Sequence, residues 1–252
     1  MKFRLHRSGE KHRAPNAKFT LTPLRVAVLA SGRGSNLQAL IDAQRSAALP
    51  ITLAGVFSDR ASCGALQRAR LAGIASHAFS ARDFMIDGVC DREAFDAALF
   101  DAIDAVRPDL VVCAGYLRMI GAASVQRNGG RMLNIHPSLL PKFRGLHTHV
   151  QALSAGEREH GASVHFVIPA LDAGPVIAQA RVPVHANDSV ATLAAHVLQR
   201  EHPLLVACVG LFAAGRIFLQ GSDILVDSRR LSRPLQLQAD GTLRDESEKW
   251  SE

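Results

Sequence analysis

From Leu24 onward, short runs rich in aliphatic and β-branched residues alternate with stretches whose apolar residues recur at helical spacing. This alternation constrains the fold more than any other feature, because parallel strands need a long crossover and an amphipathic helix is the usual one. "LRVAVLAS" (24–31) predicts a first strand, and Leu37, Leu40 and Ile41 within 36–48 predict the first helix. "ITLAGVFS" (51–58) predicts a second strand, Ala65, Leu66 and Ala69 mark a second helix, and "ASHAF" (75–79) reads as a weaker third strand. Phe95, Ala98, Leu99, Ala102, Ile103 and Val106 follow the i, i+3, i+4, i+7 rule until Pro108 stops them. "DLVVCAG" (109–115) is a strand buried on both faces, and "RMLNIH" (131–136) a fifth strand that runs into His136 and Pro137.

Beyond His136 the pattern changes. "GASVHFVI" (161–168) and "PVIAQARVPV" (175–184) predict an antiparallel pair joined by a turn containing "LDAGP" (171–175). A long helix from Ser189 carries Val190, Leu193, Ala194, Val197 and Leu198 on one stripe, with Pro203 expected to kink it. Residues 221–231 predict a short ribbon, and the polar stretch 239–252 a frayed tail. The expected fold class is α/β: Rossmann-like, a mostly parallel central sheet with helices on both faces and an antiparallel C-terminal extension.

The 252 residues, 48% hydrophobic, suffice for a full core. No stretch approaches the roughly 18 uninterrupted apolar residues of a membrane helix, and no apolar segment follows the basic N-terminus, so a soluble, unexported, cytoplasmic protein without membrane partners is expected. Cys63, Cys90, Cys113 and Cys208 form no CxxC pair, which argues against a disulfide framework or a zinc knuckle. Lys2, Arg4, Arg7, Lys11, Arg13 and Lys18 against Glu10 place nearly all of the net +6 within residues 1–23. That arm is expected to be a disordered tail, or an over-extended start of the reading frame, rather than a grip on nucleic acid.

Ligands of open α/β sheets gather outside the C-terminal ends of the strands, and two constellations fall there. The first, Gly32-Arg33-Gly34-Ser35-Asn36, opens a helix. Its amides, the helix dipole and the Ser35 hydroxyl suit a phosphate, or else it is a tight turn with Ser35 or Asn36 capping. It lacks the third glycine of the dinucleotide fingerprint. The second constellation is Asn134, His136 and the later Asp172. On a strand, positions i and i+2 share a face, so an amide donor and an imidazole can converge on one oxyanion, with a carboxylate favouring the charged imidazole. Equally, His136 can be a structural histidine and Asp172 a turn former. His147 and His149 invite a metal set with His136, but no carboxylate or thiol cluster completes it. Ser138 lacks a nucleophile elbow, and Pro137 and Pro141 read as fixing their loop, one of them a candidate for a cis bond.

Taken together, "SGRGSNLQALID", "RARLAGI", "DREAFD", "VVCAGYLRMI", "LNIHPSLLPKFRGLHTH", "HGASVHFV", "LDAGPVI" and "EHPLL" resemble one family closely, the phosphoribosylglycinamide formyltransferases, over about residues 24–212. The resemblance implies a formyltransferase catalytic domain over 24–220, a basic arm over 1–23, and a short ribbon and tail over 221–252. It implies formyl transfer from 10-formyltetrahydrofolate, a co-substrate, to the amine of glycinamide ribonucleotide in purine biosynthesis, with no metal and with a monomer or homodimer as the acting form. Asn134, His136 and Asp172 match the family's catalytic trio. Gly34, Ser35, Asn36 and Glu201 match its ribonucleotide residues. Arg92, Leu117, Arg118, Met119, Ile120, Asn134 and the loop Ile168, Pro169, Ala170, Leu171 and Asp172 match its folate site.

The chain departs from the family pattern at a short insertion around Met85 to Cys90, just before Arg92, and at Arg144, where a proline is common. The alternatives are a formyltetrahydrofolate hydrolase and a methionyl-tRNA formyltransferase. Against the first, 23 leading residues are too few for its regulatory domain; against the second, no sizeable C-terminal domain for tRNA follows and "GRGSN" is a phosphate loop. A binding module that keeps the fold without catalysis has only the basic arm in its favour.

Overall fold

The computed structural model of the chain describes residues 22–246. All of the expected basic arm except residues 22 and 23, and the last six residues of the expected tail, lie outside the described residues.

The first half follows the predicted alternation. Strand β1 (Leu24–Leu29) leads into helix α1 (Ser35–Arg45), then β2 (Ile51–Ser58), α2 (Gly64–Leu71) and the short β3 (Ser76–Ala78). A 3-10 turn, Ala81–Phe84, and a small hairpin, β4 (Met85–Ile86) with β5 (Val89–Cys90), occupy the insertion. Helix α3 (Arg92–Ala105), β6 (Leu110–Cys113), α4 (Ala122–Arg127) and β7 (Met132–His136) complete the parallel part. Asp91 caps α3 by accepting a hydrogen bond from the Ala94 amide at 3.0 Å.

After α5 (Thr148–Ser154) come β8 (Glu159–Phe166) and β9 (Val176–Pro183), which pair antiparallel, β8 also lying antiparallel to β7. Helix α6 (Val190–Ala213) begins with a capping box between Ser189 and Thr192 and passes through Pro203 without ending there. A small ribbon of β10 (Ile217–Gln220), β11 (Asp223–Val226) and β12 (Arg229–Arg230) follows.

One expectation needs correction. The polar stretch from 239 is not frayed throughout: β13 (Leu235–Leu237), just before it, adds parallel to the edge of β9, and within it β14 (Leu243–Arg244) folds back on β13. Leu235 and Leu237 are buried there, so β13 is anchored by apolar burial and offers β14 an open sheet edge to pair with.

The resulting sheet has nine strands in the order β14-β13-β9-β8-β7-β6-β1-β2-β3. It is an α/β fold, mostly parallel at its centre, with antiparallel strands toward its C-terminal side. Alternation along β1 separates the two cores: Val26 and Val28 pack with residues of α1, α2 and α6, while Ala27 and Leu29 pack with α3. The chain leaves β1 toward β2 and β3, then returns to β6 and β7 on the other side, so the strand order reverses between β1 and β6. A crevice opens at the C-terminal ends of strands at such a reversal. Among the described residues, no helix is long and apolar enough to cross a membrane.

Candidate active site

The turn after β1 is shaped by glycine. Gly34 is the residue before α1 and has φ 75°, a left-handed conformation that side chains rarely adopt. A Cβ there would also lie 2.6 Å from the Ala65 Cα, so the close approach of α2 demands glycine a second time. No side chain caps α1, so Ser35 and Asn36 are not the capping residues of an ordinary turn. Asn36 instead turns inward and donates from Nδ2 to Glu201 Oε2 at 2.8 Å, across a sequence separation of 165 residues. Both are buried, Asn36 Oδ1 has no protein partner, and burial raises the Glu201 carboxyl above its ordinary range against the pull of Asn36.

The other end of the crevice is built on β7. Leu133 and Ile135 pack into the core while Asn134 and His136 face the opposite side, as their i, i+2 spacing predicts. Asp172 comes from the turn between β8 and β9, with φ 44°. Its Oδ2 lies 3.4 Å from His136 Nδ1 and accepts the Gly145 amide at 2.9 Å. Its Oδ1 accepts from Asn134 Nδ2 at 3.3 Å. The structure therefore brings all of Asn134, His136 and Asp172 together.

Two partners were not foreseen. His136 Nε2 donates to the Phe143 carbonyl at 2.9 Å, which leaves Nδ1 toward Asp172. His165, directly across from Asn134 in the β7/β8 register, lies 3.1 Å from Asn134 Nδ2 and 3.6 Å from Asp172 Oδ1. His165 Nδ1 donates to the Phe166 carbonyl at 2.8 Å, so in the neutral ring Nε2 is free to accept from Asn134. The signal in the sequence was a histidine inside the predicted strand 161–168, without the register that sets it across from Asn134.

Burial pushes the His136 pKa below its ordinary value, against the upward pull of the Phe143 carbonyl and of Asp172. Asp172 stays low despite burial, because His165, His136 and the Gly145 amide favour its charged form.

These groups line a cavity of about 620 Å³ that contains Asn36 and Glu201 at one end and Asn134, His136 and Asp172 at the other. A narrower one, about 90 Å³, is lined by Arg118, Met119, Ile120, Ile168, Pro169, Ala170 and His165. Tyr116, Arg118, Met119, Asn134, Leu171 and Asp172 belong to both, so the two hollows meet at Asn134 and Asp172, with His136 beside them in the larger one. Leu117 lines only the larger one. Gly34, Ser35 and Arg92 line neither; Arg92 starts α3, and its charge acts on the buried Asp96. Size alone does not mark the site: a larger hollow of about 910 Å³ beside α6 and β11 to β14 shares no lining residue with it, and its Arg216 and Asp227 pair with each other. Among the described residues, no group of three His, Cys, Asp or Glu side chains is arranged to hold a metal ion.

Residues 24–209 match the formyl transferase family, and the chain belongs to that family. Within it, the chain is 48% identical to the phosphoribosylglycinamide formyltransferase of Escherichia coli (strain K12), over 82% of this chain and 96% of the relative. The solved phosphoribosylglycinamide formyltransferase of Coxiella burnetii superposes with a TM-score of 0.78 at 42% identity, covering 83% of this chain and 96% of that one. A formyltetrahydrofolate deformylase from Pseudomonas putida KT2440 is more distant, at 26% identity and a TM-score of 0.71, covering 81% of this chain and 70% of that one.

Proposed function

We propose that this chain transfers the formyl group of 10-formyltetrahydrofolate to the amine of glycinamide ribonucleotide, the step that gives formylglycinamide ribonucleotide in purine biosynthesis. The observation that carries it is the meeting of two hollows at Asn134 and Asp172, with His136, Asn36 and Glu201 lining the larger one beyond that junction. The ribonucleotide is assigned to Gly34, Ser35, Asn36 and Glu201, and the folate to Arg92, residues 117–120, Asn134 and residues 168–172.

In this reading the amine nitrogen forms a bond to the formyl carbon, and the bond from that carbon to the folate N10 breaks after a tetrahedral intermediate. Holding both substrates side by side supplies much of the acceleration. As the formyl oxygen becomes negative, it takes the place of the Phe143 carbonyl as acceptor of the His136 Nε2 proton. Asn134 adds a second donor: its 3.3 Å contact with Asp172 is long, so that amide proton can turn to the oxygen while the other stays on His165. Asp172 orients His136 and, through water, carries the proton from the amine to N10.

The same reading places the protein in the cytoplasm as a monomer or homodimer, in keeping with cysteines that are all free. The label experiment is direct: with a carbon-13 formyl donor, mass spectrometry should find the label on the ribonucleotide amine. Label found only as free formate would instead make the chain a hydrolase.

A further inference from the structure

The segment from Leu117 to Gly121, between β6 and α4, carries side chains of the narrow hollow yet belongs to no strand or helix. Leu117 and Met119 are half exposed, at 53% and 49%, so core burial does not set its path. Its two ends are instead held by buried oxygens. At the start, the Leu117 amide donates to Ser31 Oγ at 3.0 Å, and that hydroxyl donates to Asp59 Oδ1 at 2.5 Å. At the finish, the Gly121 amide donates to Asp96 Oδ2 at 2.6 Å. Between them the Arg118 guanidinium lies 4.4 Å from the centre of the Phe95 ring.

Asp96 is the unusual member. It sits in the first half of α3, 3% exposed, and lines neither hollow. Its Oδ1 is buried with no protein partner. A buried carboxylate with one oxygen unpaired is costly, and an apolar side chain would serve the α3 core better. What the carboxylate does achieve is local. It holds the Gly121 amide, and its charge faces Arg92 and Arg118. Gly121 is matched to it, since a Cβ there would come within 2.9 Å of Asp96 Oδ2.

We infer that Asp96 is a positioning residue for the folate side of the site: by gripping Gly121 while its neighbour Phe95 supports Arg118, it fixes segment 117–121 and thereby sets the affinity for the folate co-substrate, without touching either substrate. The inference rests on the assignment of 117–120 to the folate.

Asp96→Ala and Asp96→Asn separate this from a merely structural role. The alanine variant should raise KM for 10-formyltetrahydrofolate, and Kd for tetrahydrofolate in direct titration, about tenfold, the worth of one lost charged hydrogen bond. KM for the ribonucleotide should stay within about twofold, because Asn36 and Glu201 share no partner with Asp96. Hydrogen exchange at the Gly121 amide should quicken. The asparagine variant keeps an acceptor for that amide and should restore most of the folate affinity. If the alanine variant does not fold, Gly121→Ala, which pushes the same contact apart, should show the same folate-selective loss. Equal rises in both KM values, or an asparagine variant as impaired as alanine, would overturn the inference. Should the wild type prove inactive with these substrates, the proposed function fails, but the exchange at Gly121 still decides whether Asp96 holds the segment: unchanged exchange in the alanine variant refutes it.

Discussion

The two ends of the larger hollow are built by different means. The end proposed for the ribonucleotide depends on backbone: the left-handed Gly34, packed on Ala65 and not itself lining the hollow, sets an uncapped helix start from which Asn36 makes one side-chain hydrogen bond to Glu201. The transfer end depends on a network of side chains from three separate elements, Asn134 and His136 on β7, His165 on β8, and Asp172 in the following turn. A site held by backbone tolerates no change of shape at its glycine. One held by a network tolerates changes of shape better than changes of proton inventory. Substitutions at the two ends should therefore fail in different ways.

The largest effect is expected at the transfer end. His136→Ala removes the Nε2 donor and should lower kcat roughly 10²- to 10⁴-fold while circular dichroism and ribonucleotide affinity stay close to the wild type. Near-normal turnover would dissolve the contrast. Gly34→Val comes next and acts on shape: the new side chain meets Ala65 in a disfavoured conformation, a strain of order 1–3 kcal/mol. Isothermal titration should show ribonucleotide affinity falling far more than folate affinity, whereas equal losses would indicate a folding defect. Glu201→Gln keeps an acceptor for Asn36 but loses the charge, so ribonucleotide binding should weaken by at most about tenfold with kcat nearly unchanged. A kcat loss rivalling that of His136→Ala would merge the two ends into one.

The smallest effect concerns stability. Burial and its histidine neighbours hold His160, behind the transfer end, at about 4 instead of the ordinary 6.5. The unfolded chain binds that proton near 6.5 and the folded chain only near 4, so stability present in full above 6.5 is lost as pH falls toward 4. Melting temperatures across that window should decline on acidification, and His160→Asn should flatten the decline. An unaltered pH profile in that variant would show that His160 does not contribute to it.

Legibility in the sequence divides along the same line. Strand ends, the β1 turn and the shared face of Asn134 and His136 follow from local period and spacing, which is why they were readable. His165 was not, because its place depends on the register of β8 against β7. Nor were the Phe143 carbonyl and the Gly145 amide, backbone groups presented by a loop that includes a cis Leu140–Pro141 bond and a left-handed Phe143. The meeting of Asn36 with Glu201 joins the first helix to the last, beyond any local rule, and β14 pairs with β13 inside a stretch whose composition suggested a tail. The pull of Asp172 toward the charged form of His136 is foreseeable from sequence, but the depth of burial that opposes it is not.

The most direct measurement follows tetrahydrofolate release by purified protein supplied with 10-formyltetrahydrofolate, with and without glycinamide ribonucleotide. Release that depends on the ribonucleotide is expected, because both ends of the hollow must be filled before the amine can reach the formyl carbon. Equal release in its absence would mean that water is the acceptor, and would contradict the assignment of the Asn36 and Glu201 end to a second substrate.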